Sequence, residues 1–138
     1  MIPTQFPLDH IGIAVTDIDA SIAEYQRLMG LQVTHRQIAP NGEVELCFLG
    51  LGNTRIELIA PCQPDGVLAK FLSNRGPGLH HLCYRVDDIV AELARFKAAG
   101  VKLLDEVPRP GAHGTIIAFL HPGSFGGVLT ELCEYPNG

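Results

Sequence analysis

Apolar and polar or small residues alternate along LDHIGIAV, residues 8–15. Apolar residues then recur at three- and four-residue spacing at Ile18, Ile22, Tyr25 and Leu28. A period of two predicts a strand, and a period near 3.6 predicts a helix. Asp17 or Asp19 is placed to cap that helix, because a short carboxylate accepts from the free amides of a first turn. Gly30 is placed to end it in a left-handed conformation. An apolar stretch at 31–33 follows. Two further strand candidates come next, 43–49 and 54–60, joined by the turn-like GLGN at 50–53.

The same order recurs in the second half. Aligning Asp17-Ile18 with Asp88-Ile89 brings His10 onto His81, so H-IGIAV-TDI lies over H-LCYRV-DDI. A helix follows with Ile89, Leu93 and Phe96 on one side, Asp87 or Asp88 as its cap and Gly100 as its stop. An apolar stretch at 101–104 and strand candidates at 115–120 and 127–134 complete the half, the last two joined by HPGSFG. Each half reads as β-α-β-β-β, with module one about 8–60 and module two about 79–135. The linker, 61–78, holds a short helix near 66–73 with Val67, Leu68, Phe71 and Leu72 on its apolar side. A half of this size struggles to bury a core alone, so two halves are expected to make one α+β domain spanning 1–138. Two tandem modules of this kind would form a curved mixed sheet around a cleft, with helices on the outer face.

Parity along the strands selects side chains. His10 shares a face with Gly12 and Ala14, and His81 with Cys83 and Arg85. Glu57 lies between core-facing Ile56 and Leu58. Glu131 lies between Thr130 and Leu132. Glu45 shares a face with Cys47 and Leu49, leaving Val44, Leu46 and Phe48 for the core. His80 falls opposite His81, at the entrance of its strand. If the strands curl around one cleft, His10, Glu57, His81 and Glu131 converge. Two imidazoles and two carboxylates suit a divalent first-row ion with open positions, since closed structural zinc sites favour thiolates.

Composition narrows the field. A hydrophobic fraction of 46% with 18% charged residues describes a folded protein, and no apolar run reaches membrane-spanning length. The opening residues show no secretory or Arg-rich targeting pattern, so the cytoplasm is the expected location. A net charge of −5 disfavours nucleic acid and anionic membranes as partners. The four cysteines form no C-x-x-C pair and read as reduced thiols filling small positions.

The segments LDHIGIAVTDI, LGNTRIELIAP, GLHHLCYRVDDI, GAHGTIIAFLHP and GGVLTEL resemble the vicinal oxygen chelate (glyoxalase–bleomycin resistance–dioxygenase) superfamily. Within it they most resemble the methylmalonyl-CoA epimerases. The resemblance covers nearly the whole chain. It implies metal ligation by His10, Glu57, His81 and Glu131, and catalytic bases at Glu45 and Glu131. It implies one divalent ion per chain, cobalt ahead of manganese, nickel or zinc, an acyl-CoA substrate, and a homodimer. Some of those epimerases carry Gln where this chain has Glu57, and the more anionic set is shared with glyoxalase I. A lactoylglutathione lyase of that type and a non-catalytic ligand-binding or resistance protein are the alternatives. A carboxylate of ordinary pKa, near 4.3, is too weak to deprotonate a thioester α-carbon without help, and a Lewis acid supplies it. Candidates for the CoA phosphates are Lys70, Arg75, Arg85 and Arg109. The GAHG loop, 111–114, is either an anion-contacting backbone or a plain tight turn, and His113 and His121 read as exposed loop residues.

Overall fold

The alternating segment forms strand β1 (Leu8–Ala14), and the periodic segment forms helix α1 (Ile18–Met29). The computed structural model describes residues 5–137; the remaining positions of the 1–138 span lie outside the described residues. After α1 come β2 (Val33–Ile38), β3 (Val44–Leu51), β4 (Thr54–Pro61) and α2 (Val67–Arg75). The second series is β5 (Gly78–Arg85), α3 (Ile89–Ala98), β6 (Arg109–Pro110), β7 (Ile116–Leu120) and β8 (Thr130–Glu134). The chain divides into two units, one of residues 10–80 and one running from His81 together with the segment before His10.

Both units are built alike. In the first, the strands run β2-β3-β4-β1, with β1 parallel to β4 and the other pairs antiparallel. In the second they run β6-β7-β8-β5, with β5 parallel to β8 and the rest antiparallel. Each unit is therefore an α+β module of the expected β-α-β-β-β order with mixed parallel and antiparallel pairing. Each also has its own core. Val15, Ile18 and Ile22 pack with Cys47, Leu49, Ile56, Leu58 and Ala60 in the first. Val86, Ile89 and Leu93 pack with Ala118, Leu120 and Leu132 in the second. Leu58 and Leu132 are 0% and 1% exposed, so Leu→Ala at either position is expected to cost about 2–5 kcal/mol, read from urea unfolding.

The helix ends follow local chemistry. Asp17 accepts from the Ala20 amide at 3.0 Å, and Asp88 from the Ala91 amide at 3.1 Å. Gly30 ends α1 at φ 68°. Glu134 reaches across from β8 to accept the Ile89 amide at 2.9 Å, giving α3 a second cap. Asp88→Ala is expected to cost about 1 kcal/mol, with Asp88→Asn close to neutral, in thermal unfolding.

Two expectations need correction. The strand expected at 101–104 is absent: Leu104 and Asp105 both donate to the Phe119 carbonyl, and Leu103 makes only an isolated bridge to Leu120. The edge strand forms instead at Arg109–Pro110, where proline's missing N–H holds it to two residues. In the linker, Leu68 is the buried residue of α2 while Val67 is 80% exposed. Among the described residues no helix is long and apolar enough to cross a membrane.

Candidate functional site

In the first unit, β1 and β4 run side by side with Gly12 opposite Glu57. That register sets Glu57 beside His10, one strand step away on the same face. His10 Nε2 lies 3.3 Å from Glu57 Oε1, and the two residues are 5% and 7% exposed. Phe48 stands opposite Glu57 on β3. Its ring meets the imidazole edge to face, at 5.2 Å and 76°.

The second unit repeats the arrangement. Cys83 lies opposite Glu131 on the parallel pair β5–β8. His81 Nε2 is 3.2 Å from Glu131 Oε1, with exposures of 5% and 6%. Phe119 stands opposite Glu131 on β7 and meets His81 edge to face at 5.7 Å and 83°. Burial pushes the Cys83 thiol up, and Cys133 beside it adds to the shift, so Cys83 is a small neutral filler there.

The structure thus brings His10 to Glu57 and His81 to Glu131, each pair within its own unit. Two ligands about 2.1 Å from a common ion, subtending between roughly 90° and 109°, stand about 3.0–3.4 Å apart. Both pairs fall in that window. Each sets a carboxylate against an imidazole with both side chains buried. A buried carboxylate needs an opposite charge beside it, and a bound cation is one way to supply it. The donor set therefore fits a divalent ion of the imidazole- and carboxylate-preferring kind.

The sequence reading puts Phe48 in the core and gives Phe119 no place beside the site. Each follows its histidine by 38 residues and each precedes a leucine, in CFL and AFL. That matched spacing was the available signal. Their distances to the two glutamates differ because the second hairpin is longer.

The side of β3 read as core is corrected. Glu45 does share a strand face with Cys47 and Leu49, but those two pack in the core against α1, while Phe48 and buried Leu46 take the opposite face, with His10. Glu45 is engaged on the α1 side. Its Oε2 accepts from Arg36 at 2.9 Å and 2.8 Å, and Arg36 also donates to Asp19 on α1 at 2.8 Å. These two carboxylates hold the Arg36 guanidinium firmly charged. Through Arg36, Glu45 ties β2 and β3 to α1.

His80 packs its ring edge to face on Phe71 of α2, at 4.8 Å. The GAHG segment is a tight turn: the Gly111 amide donates to the Thr115 carbonyl, the Thr115 amide donates to the Ala112 carbonyl, and His113 adopts φ 59°. A Cβ at Gly111 would lie 2.6 Å from Ile117 Cγ2. Gly111→Ala is expected to destabilise by about 1–3 kcal/mol, measured by urea unfolding. His121 is half-buried, and its Nδ1 accepts from the Gly123 amide at 2.9 Å, capping the turn that follows. Of the basic candidates, Arg75 lies over Phe71, Arg85 over Tyr135, and Arg109 beside Asp105 and over Phe119, while Lys70 is exposed.

The duplicated module and its paired His–Glu clusters define a class. The chain belongs to the Glyoxalase/Bleomycin resistance protein/Dioxygenase superfamily, which matches residues 9–119. It is 42% identical over 127 residues to the ethylmalonyl-CoA/methylmalonyl-CoA epimerase of Cereibacter sphaeroides, covering 91% of this chain and 95% of that one. It is 40% identical over 126 residues to the mitochondrial methylmalonyl-CoA epimerase of Homo sapiens, covering 91% and 72%. A Streptomyces coelicolor methylmalonyl-CoA epimerase variant, solved in complex with 2-nitronate-propionyl-CoA, matches with a TM-score of 0.91 at 33% identity over 97% of both chains.

Proposed function

We propose that this protein is an isomerase that interconverts the (R)- and (S)-forms of methylmalonyl-CoA by moving the proton at C2. The observation that carries the reading is the repeated His–Glu pair, His10 with Glu57 and His81 with Glu131, each buried and each spaced as ligands of one ion. The epimerase relatives support the substrate class, and the complex named for the S. coelicolor relative supports an acyl-CoA ligand.

In this reading His10, Glu57, His81 and Glu131 together hold one divalent ion, with cobalt preferred. That ion, when bound, supplies Lewis-acid stabilisation for the charge that develops on the thioester oxygen. The chain's residues do the rest. The imidazoles and Glu57 fix the donor set. Glu131 is also an acid–base residue: its carboxylate takes the C2 proton from one face, the C–H electron pair passes into the thioester, and a second acid, the role the resemblance gives to Glu45, returns a proton to the opposite face of C2. Ligation lowers the basicity of one oxygen, so the other oxygen of Glu131 does the work. The protein is assigned to the cytoplasm as a homodimer, which light scattering at micromolar concentration tests.

Glu45 is the second acid–base residue of this reading, and its carboxylate, held by Arg36 in this structure, would leave that pair to reach C2. Glu45→Gln is expected to keep metal binding and to lose exchange at one face of C2. Unchanged exchange at both faces would remove Glu45 from the mechanism.

The direct test follows conversion of one methylmalonyl-CoA epimer to the other by apo and metal-loaded protein. Metal-dependent conversion is expected. Turnover of methylglyoxal with glutathione in its place would favour a lyase. Tight binding of an organic ligand with neither turnover would favour sequestration.

A further inference from the structure

The functional proposal leaves one feature of both units unused. Phe48 is 2% exposed, yet it lies outside the helix-side core cluster of its unit. Phe119 likewise lies outside the core cluster of its own unit. Both rings sit on the opposite strand face from those cores, edge to face with an imidazole. Each ring also carries a guanidinium: Arg55 lies over Phe48 at 4.0 Å from the ring centre, and Arg109 over Phe119 at 5.5 Å. Both separations fall within the range where a cation is attracted to the ring face.

We infer that Phe48 and Phe119 are matched positioning residues that hold the imidazoles of His10 and His81 in the rotamer that presents Nε2 to a bound metal. The inference rests on the functional reading given above. A ligating imidazole must be fixed in orientation, and the residues that do this are commonly polar groups on its far nitrogen. Here a phenyl ring stands against each imidazole at nearly a right angle and blocks rotation about the Cβ–Cγ bond. The guanidinium over each ring fixes the ring in turn, so the order Arg–Phe–His–Glu runs through both units. The Phe–His–Glu part recurs at matching strand positions, with the phenylalanine 38 residues after the histidine each time, while the arginines come from β4 in one unit and β6 in the other. The two columns differ in firmness. Phe48 is fully buried and its cation close, whereas Phe119 is half-buried and Arg109 also pairs with Asp105.

The test uses the whole protein stripped of metal and titrated with cobalt(II), read by calorimetry and by the visible absorption spectrum. Phe119→Leu keeps most of the volume and removes the ring at a half-buried position. It is expected to weaken cobalt binding by about 10–100-fold, the usual cost of losing a residue that orients a ligand, and to alter the cobalt spectrum. Phe119→Tyr keeps the ring and is expected to restore both towards wild type. Phe48→Leu is expected to act in the same direction; should it fail to fold, as circular dichroism would reveal, the Phe119 pair decides the matter. Leucine variants that bind cobalt with wild-type affinity and an unchanged spectrum would overturn the inference while leaving the functional reading intact. A wild-type protein that takes up no divalent ion would overturn the functional reading, and this one with it.

Discussion

His81→Ala is expected to abolish metal binding and metal-dependent epimerisation, whereas His80→Ala is expected to leave both near wild type. The two residues are adjacent in GLHHL, but the strand sends them to opposite faces. His81 lies 3.2 Å from Glu131, and His80 packs on Phe71. Loss of a ligand should exceed the roughly 10–100-fold penalty that follows loss of a merely supporting residue. There is a stability cost as well. Removing one partner of a buried pair strands the other, and about 3–5 kcal/mol is typical where that partner stays charged. Metal titration by calorimetry and urea unfolding of the apo variants separate the two effects. Equal metal affinity in His81→Ala and His80→Ala would show that the face assignment is wrong.

The second large effect is expected at Glu131→Gln. The amide keeps the shape of the side chain and still offers one oxygen, so some metal binding should survive. It cannot accept the C2 proton. General acid–base groups contribute about 10²–10⁴-fold, and the epimerisation rate at saturating metal is expected to fall within that range. Glu57→Gln should be far milder, because Glu57 is assigned a ligand role and no proton transfer. Comparable losses in the two variants would mean that Glu131 acts through the ion alone.

Much of this was legible before any coordinates. The period switch from two to 3.6 gave β1 and α1, and its recurrence 71 residues later gave β5 and α3. Asp17 and Asp88 were readable as caps because cap chemistry is local. Parity placed His10, Glu57, His81 and Glu131 on the faces where they are found. Strand β3 shows the limit of the same reasoning. Parity says which residues share a face, and it does not say which face meets the helix. On β3 both faces are buried, with Leu46 and Phe48 at 5% and 2% and Cys47 and Leu49 both at 0%. An apolar residue such as Phe48 was therefore read as core, and the polar Glu45 was read as facing the cleft. The structure instead sets Phe48 beside His10, while Arg36, which also reaches Asp19 on α1, holds Glu45. The strand expected at 101–104 failed for a related reason. Its residues are apolar enough, but the neighbouring Phe119 carbonyl takes two successive amides, which no regular ladder does.

The central claim is that metal held by the paired His–Glu clusters lets the protein labilise the C2 proton of an acyl-CoA. The measurement that tests it most directly is deuterium incorporation at C2 of methylmalonyl-CoA in D₂O, followed by mass spectrometry, for the metal-loaded and metal-stripped protein side by side. The account predicts wash-in at C2 with the loaded protein and none above background with the stripped one. Absence of exchange with every divalent ion tried, or equal exchange with and without metal, would contradict it.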